Sequence, residues 1–177
     1  VKTSIALIGF MGAGKTAVGR ALAQRLGKDF LELDALIAEK AGKSIPEIFS
    51  QDGEIRFREL EIAVVKGVFA RKNAVIACGG GVVLNWINIA RLRQEGVTVY
   101  LLASPEAIVR RTAGDRGRPL LEVADRTARI RELLAFRQPF YERAADITID
   151  TSELSESDVA GAIIRRVSED ASFAGAE

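Results

Sequence analysis

The sequence predicts an α/β domain in which a parallel sheet is wrapped by helices, and three observations carry that expectation. Short, apolar, mostly β-branched runs alternate with segments of helical periodicity, as expected of strands buried on both faces of a three-layer α/β/α arrangement. A length of 177 residues, 48% apolar and 28% charged, suits one domain with a real core. Where the first run meets the first helical segment stands Gly9-Phe10-Met11-Gly12-Ala13-Gly14-Lys15-Thr16, a match to G-x-x-x-x-G-K-[ST].

The first strand is expected over 4–8. Val18, Ala21, Leu22 and Leu26 then recur at helical spacing until Gly27 supplies a stop. A second strand over 30–33 carries Glu32 and Asp34 at its end. Residues 35–54 hold two short helical patterns instead of a strand, an insertion ahead of a long helix over about 54–69. That helix sets Phe57, Leu60, Val64 and Val68 on one stripe. The third strand, 74–77, runs into Gly79-Gly80-Gly81, and the fourth covers 97–102. Ser104-Pro105-Glu106 reads as an N-cap followed by proline at the first helical position. Residues 113–122 form a glycine- and arginine-rich loop between two helices. Arg137 falls at a helix end before Pro139, and 147–149 is the fifth strand. One domain is expected over 1–170. Residues 171–177, small and polar apart from Phe173, are expected to fray.

Composition removes whole classes of function. The chain has no histidine, which excludes His-based triads and imidazole zinc sites. Its one cysteine, Cys78, has no disulfide partner and suits a reducing compartment, so a cytoplasmic location is expected. No apolar run approaches the ~20 residues that span a bilayer, and no signal peptide is visible ahead of the first strand. A net charge of +1 gives no overall basic field for nucleic acid or anionic lipid.

The glycines of the G-x-x-x-x-G-K-[ST] stretch let backbone N–H groups curl around phosphates at a helix N-terminus. Lys15 would reach the β- and γ-phosphates and the Thr16 hydroxyl would sit on Mg²⁺. With strand, loop and helix in register, the chain reads as a P-loop nucleotide-binding protein. Period two would put Glu32 and Asp34 on one side of the second strand, at the sheet edge where the P-loop lies. One acid could serve the magnesium shell and the other a substrate hydroxyl; the alternative is a pair of solvated strand-end acids. Three consecutive glycines suggest a bare backbone that something approaches closely, or a flexible turn. Arg58 and Glu61 stand three apart on a helix, either a surface ion pair or an acid that orients a guanidinium. Arg137 lies on an apolar stripe with Ile130, Leu133 and Leu134, where it either snorkels or points into a site. From Arg110 to Arg143 there are nine arginines, no lysine and five acids. Most of these suit a solvated face, but arginine without lysine in a loop also suits a lid closing over phosphate oxygens, with Arg118 within it.

Taken together these residues resemble the shikimate kinase family over nearly the whole chain. The matching motifs are Gly12 to Thr16, Asp34, Phe57-Arg58-Glu59-Leu60-Glu61, Gly79-Gly80-Gly81, Arg118-Pro119-Leu120-Leu121 and Arg137-Gln138-Pro139-Phe140-Tyr141. Their joint order and spacing are specific. The resemblance implies a five-stranded parallel sheet in the order 2-3-1-4-5, a substrate-binding subdomain over 35–61 and a lid over 113–122. It implies ATP-dependent phosphorylation of the shikimate 3-hydroxyl, a step toward chorismate, with Mg²⁺ as cofactor and a monomeric protein. Gly12, Ala13, Gly14, Lys15, Thr16, Ala17, Arg111 and Arg118 would bind ATP, Arg111 against the adenine. Asp34 would face the reacting hydroxyl, Arg58 and Arg137 would hold the carboxylate, and the Gly80 and Gly81 backbone would contact the substrate. Lys15, Asp34 and Arg118 would be catalytic, with Thr16 and, through water, Glu32 serving the metal. The chain departs from the family at Glu32, where Asp is usual, and at Ala77-Cys78, where Ser or Thr usually precedes the glycines. Kinases for related acids such as quinate, and regulatory modules that have lost their chemistry, are the alternatives.

Overall fold

The computed structural model describes residues 1–68, 70–116 and 118–174. The last position of the expected 54–69 helix, Gly117 of the expected 113–122 segment and 175–177 of the expected frayed tail lie outside the described residues. Five strands, β1 (Ser4–Ile8), β2 (Asp29–Glu32), β3 (Ala74–Ala77), β4 (Gly96–Leu102) and β5 (Ile147–Asp150), pair in the order β2-β3-β1-β4-β5. Every neighbouring pair is parallel. Burial explains the sequence pattern: β1 and β3 are covered along their whole length, whereas the edge strand β5 alternates buried and exposed residues.

Parallel strands require crossovers, and helices supply them. These are α1 (Lys15–Leu26), α2 (Leu33–Ala41), α3 (Ile45–Glu47), α4 (Gly53–Val68), α5 (Trp86–Glu95), α6 (Pro105–Thr112) and α7 (Arg126–Ala144); α8 (Glu156–Ser168) follows the last strand. Ser104 caps α6 by accepting from the Ala107 N–H, and Gly27 ends α1 in the left-handed conformation. Phe57, Leu60, Val64 and Val68 of α4 enter the core. Between β2 and α4 the chain makes two short helices and a π-helical turn, Ile48–Asp52, with Ile37 and Ile48 fully buried as anchors.

Three local expectations are corrected. Asp34 does not share a strand face with Glu32. The extended backbone of Glu32 is the N-cap of α2, and Asp34 lies in the first helical turn, where an acid complements the helix dipole. Arg137 is not at a helix end, because α7 runs through Pro139. Tyr141 and Ala144 beyond the proline are completely buried, and their packing outweighs the lost backbone hydrogen bond. Ser172 and Ala174 are paired, not loose. The Lys2 N–H donates to Ser172 O at 2.8 Å and the Ala174 N–H to Lys2 O at 2.9 Å, while Phe173 lies 5.2 Å from the Lys28 ammonium.

Candidate active site

The strands end together at their carboxyl edge, and the loops after β1, β2, β3 and β5 open there on one cavity of about 1320 Å³ that residues of α6 and of the segment after it also line. A pocket for one drug-sized ligand spans ~300–1,000 Å³, so this space suits two substrates side by side. Every site residue expected from sequence lines it: Gly12 to Ala17, Glu32, Asp34, Arg58, Gly80, Gly81, Arg111, Arg118 and Arg137.

One end is built by the loop from β1 into α1. Gly12 and Gly14 adopt φ of 82° and 93°, a region other residues rarely enter, and a Cβ on Gly12 would stand 2.6 Å from Thr112 Cγ2. Among the described residues no side chain caps α1, so its first backbone N–H groups are left for an anion in the cavity. The Lys15 ammonium donates to Gly9 O at 2.7 Å and Phe10 O at 2.9 Å. Desolvation lowers its pKa to about 8; Asp34 opposes this, while Arg118 and Arg137 add to it. The Thr16 hydroxyl donates to Glu32 Oε1 at 2.8 Å, which joins the two residues expected around a metal. Arg111 is tied by its Nη2 to Thr151 O at 2.7 Å and by its Nη1 to Thr151 Oγ1 at 3.2 Å. Arg118 Nε donates to Asp115 Oδ2 at 2.6 Å.

The other end gathers charges that burial makes costly unless they are matched. Arg58 Nη1 meets Glu61 Oε1 at 3.1 Å and Nη2 meets Glu54 Oε1 at 3.2 Å. Glu61 is only 1% exposed, so this is no surface pair. Burial raises its pKa to about 7 against the pull of Arg58, and Asp34 adds to the rise. Arg137 is 3% exposed, its guanidinium 5.8 Å from the Phe10 ring centroid, and its buried Nε has no hydrogen-bond partner among the described residues. A buried cation at a cavity wall with an unmet donor suits an anionic ligand group. Desolvation also raises the pKa of Asp34, which Lys15 counters. Cys78 is buried, and burial pushes its thiol well up, away from thiolate chemistry.

Sequence reasoning gave no part to Thr151, which steadies Arg111, or to Tyr141, whose hydroxyl donates to Gly80 O. Neither carries a local signal: each contact joins residues far apart in sequence. Phe49 and Phe57, with ring centroids 4.8 Å apart, add an apolar wall beside Arg58.

A model of the shikimate kinase family matches residues 11–168. The chain belongs to the shikimate kinase family. A shikimate kinase of Caldanaerobacter subterraneus subsp. tengcongensis is 50% identical over 162 residues, 92% of this chain and 94% of that one. A shikimate kinase of Xanthomonas campestris pv. campestris (strain 8004) is 42% identical over 93% of this chain and 91% of its own. The structure of the shikimate kinase of Acinetobacter baumannii in complex with shikimate superposes with a TM-score of 0.91 at 41% identity, covering 94% of this chain and 93% of that one. Membership makes the chain an enzyme with a nucleotide co-substrate, and the sheet order expected of shikimate kinases is the order found here. Among the described residues no helix is long and apolar enough to cross a membrane.

Proposed function

We propose that the chain transfers the γ-phosphoryl group of ATP to the 3-hydroxyl of shikimate, giving shikimate 3-phosphate and ADP on the way to chorismate and the aromatic amino acids. The observation that carries this reading is the single cavity that brings Lys15, Asp34 and the guanidinium groups of Arg58 and Arg137 together. Residues 12–17 hold the phosphates on the α1 N-terminus, with Arg111 against the adenine. Arg58 and Arg137 take the shikimate carboxylate, and the Gly80 and Gly81 backbone lies along the ring. Asp34 accepts the hydrogen bond of the attacking hydroxyl, orients its oxygen at the γ-phosphorus and receives its proton. Lys15 and Arg118 neutralise the charge spread over the transferring group, so catalysis is mainly positioning and electrostatics.

Oxygen ligands suit Mg²⁺, and the Thr16–Glu32 pair beside the phosphate loop offers them. Thr16 would hold the ion directly and Glu32 through water; when bound, it would neutralise phosphate charge. Residues 35–61 act as the substrate-binding subdomain and 113–122 as a lid that carries Arg118 over the phosphates, within one domain over 1–170. The protein works as a cytoplasmic monomer without nucleic-acid or membrane partners. The test is a coupled ADP-release assay over a panel of hydroxy acids. Turnover dependent on shikimate is expected. Turnover preferring quinate would change the substrate, and nucleotide binding without turnover would make the chain a regulatory module.

A further inference from the structure

Each glycine of the triplet after β3 faces a charged side chain of the site. A Cβ on Gly79 would stand 3.0 Å from Asp34 Oδ1, and one on Gly80 would stand 3.4 Å from Arg137 Nη1. At Gly81 the conflict is of another order: a Cβ would overlap both terminal nitrogens of Arg58 and lie 2.7 Å from its Cζ. The backbone there does not call for glycine, since φ of −101° suits any residue. The need is for room.

Of the two parties to that overlap, the backbone is the fixed one. All three glycine carbonyls are engaged: Val82 N–H donates to Gly79 O at 3.1 Å, the Tyr141 hydroxyl to Gly80 O, and Leu84 N–H to Gly81 O at 3.1 Å. Val82 and Val83 behind them are fully buried. Arg58 reaches the spot at the end of a long side chain and can swing off by changing rotamer. Glu61 would then lose its partner, but it can hold a proton near neutral pH, so no buried charge is stranded. We propose that Gly81 is a positioning residue, whose missing side chain is the seat that fixes the Arg58 guanidinium for its ligand. The inference rests on the assignment of Arg58 to the shikimate carboxylate.

The experiment is a double-mutant cycle of Gly81→Ala and Arg58→Ala, reading thermal midpoint and KM for both substrates. Gly81→Ala should melt close to wild type, raise KM for shikimate roughly tenfold or more, and change KM for ATP by less than about twofold. In the Arg58→Ala background, adding Gly81→Ala should change KM for shikimate by less than about twofold, because the seat has no occupant left to displace. An unchanged KM in the single variant, an equal rise in the Arg58→Ala background, or a parallel rise in KM for ATP overturns the proposal. Should Gly81→Ala fail to fold, the double variant must fold, since it lacks the clash; if it too fails, the proposal falls. Wild-type protein with no shikimate-dependent turnover removes the reading of the site and this inference together.

Discussion

Lys15 sits where a positive charge is expensive, and that cost has a pH signature. Because burial brings its pKa down to about 8, the free protein loses this ammonium in the mildly alkaline range. kcat/KM for ATP, which reports free-enzyme groups, should fall above about pH 8, while kcat falls at higher pH because bound phosphates hold the proton on. Stability moves the opposite way. The unfolded chain binds the Lys15 proton more tightly, so this residue's contribution to stability rises with pH from about 8 through 10.5. Lys15→Met should lower kcat by orders of magnitude with an unchanged circular dichroism spectrum; a folded variant with near wild-type turnover would refute its role. The two acids near it separate by magnesium titration. Glu32→Gln should raise the Mg²⁺ concentration for half-maximal rate, since Glu32 accepts from Thr16, whereas Asp34→Asn should cripple kcat at saturating Mg²⁺. Rescue of Asp34→Asn, but not Glu32→Gln, by more magnesium would reverse the two roles. Glu32 and Asp34 can be picked out from sequence as a pair, but strand alternation is not what brings them together. Period two does not survive the start of α2 at Leu33, and the two carboxylates reach one cavity from different elements.

At the scale of elements, α7 is the member whose design was least readable. A proline usually closes a helix, so the sequence suggested an end near Arg137. What keeps the helix going is Tyr141, stacked on Tyr100 of β4 with ring centroids 5.0 Å apart and bonded to Gly80 O beside β3. Those partners lie 41 and 61 residues away, and no local pattern announces them. α7 therefore links the sheet to the glycine turn while it carries Arg137 into the cavity. Tyr141→Phe removes the donor to the half-buried Gly80 carbonyl, which should cost about 1 kcal/mol. The thermal midpoint should drop and KM for shikimate rise, with KM for ATP little changed; equal losses for both substrates would mean that the bond serves the fold as a whole. The strands, by contrast, were legible to within a residue or two. Their burial on both faces leaves a continuous apolar run that few other elements produce at that length.

For the molecule as a whole, the order of the sheet was not deducible from strand and helix periods. Only the resemblance to the shikimate kinase family implied it, because parallel pairing leaves no mark on the sequence of either strand. The behaviour of the last turn was also illegible, since Phe173 looks like a stray aromatic until Lys2 and Lys28 are placed beside it. That pairing has a topological consequence. Lys2 is bonded on both sides to the segment 172–174, and neither partner lines the catalytic cavity, so the two extremities of this stretch meet away from the chemistry. A circular permutant of residues 1–174 is then feasible, with a short flexible linker from residue 174 to residue 1 and the chain opened between the exposed Arg71 and Lys72. It should keep the parent's circular dichroism and KM values and melt within a few degrees of it. Loss of folding in such a ring-opened chain would show instead that β3 must enter the sheet already tethered to α4.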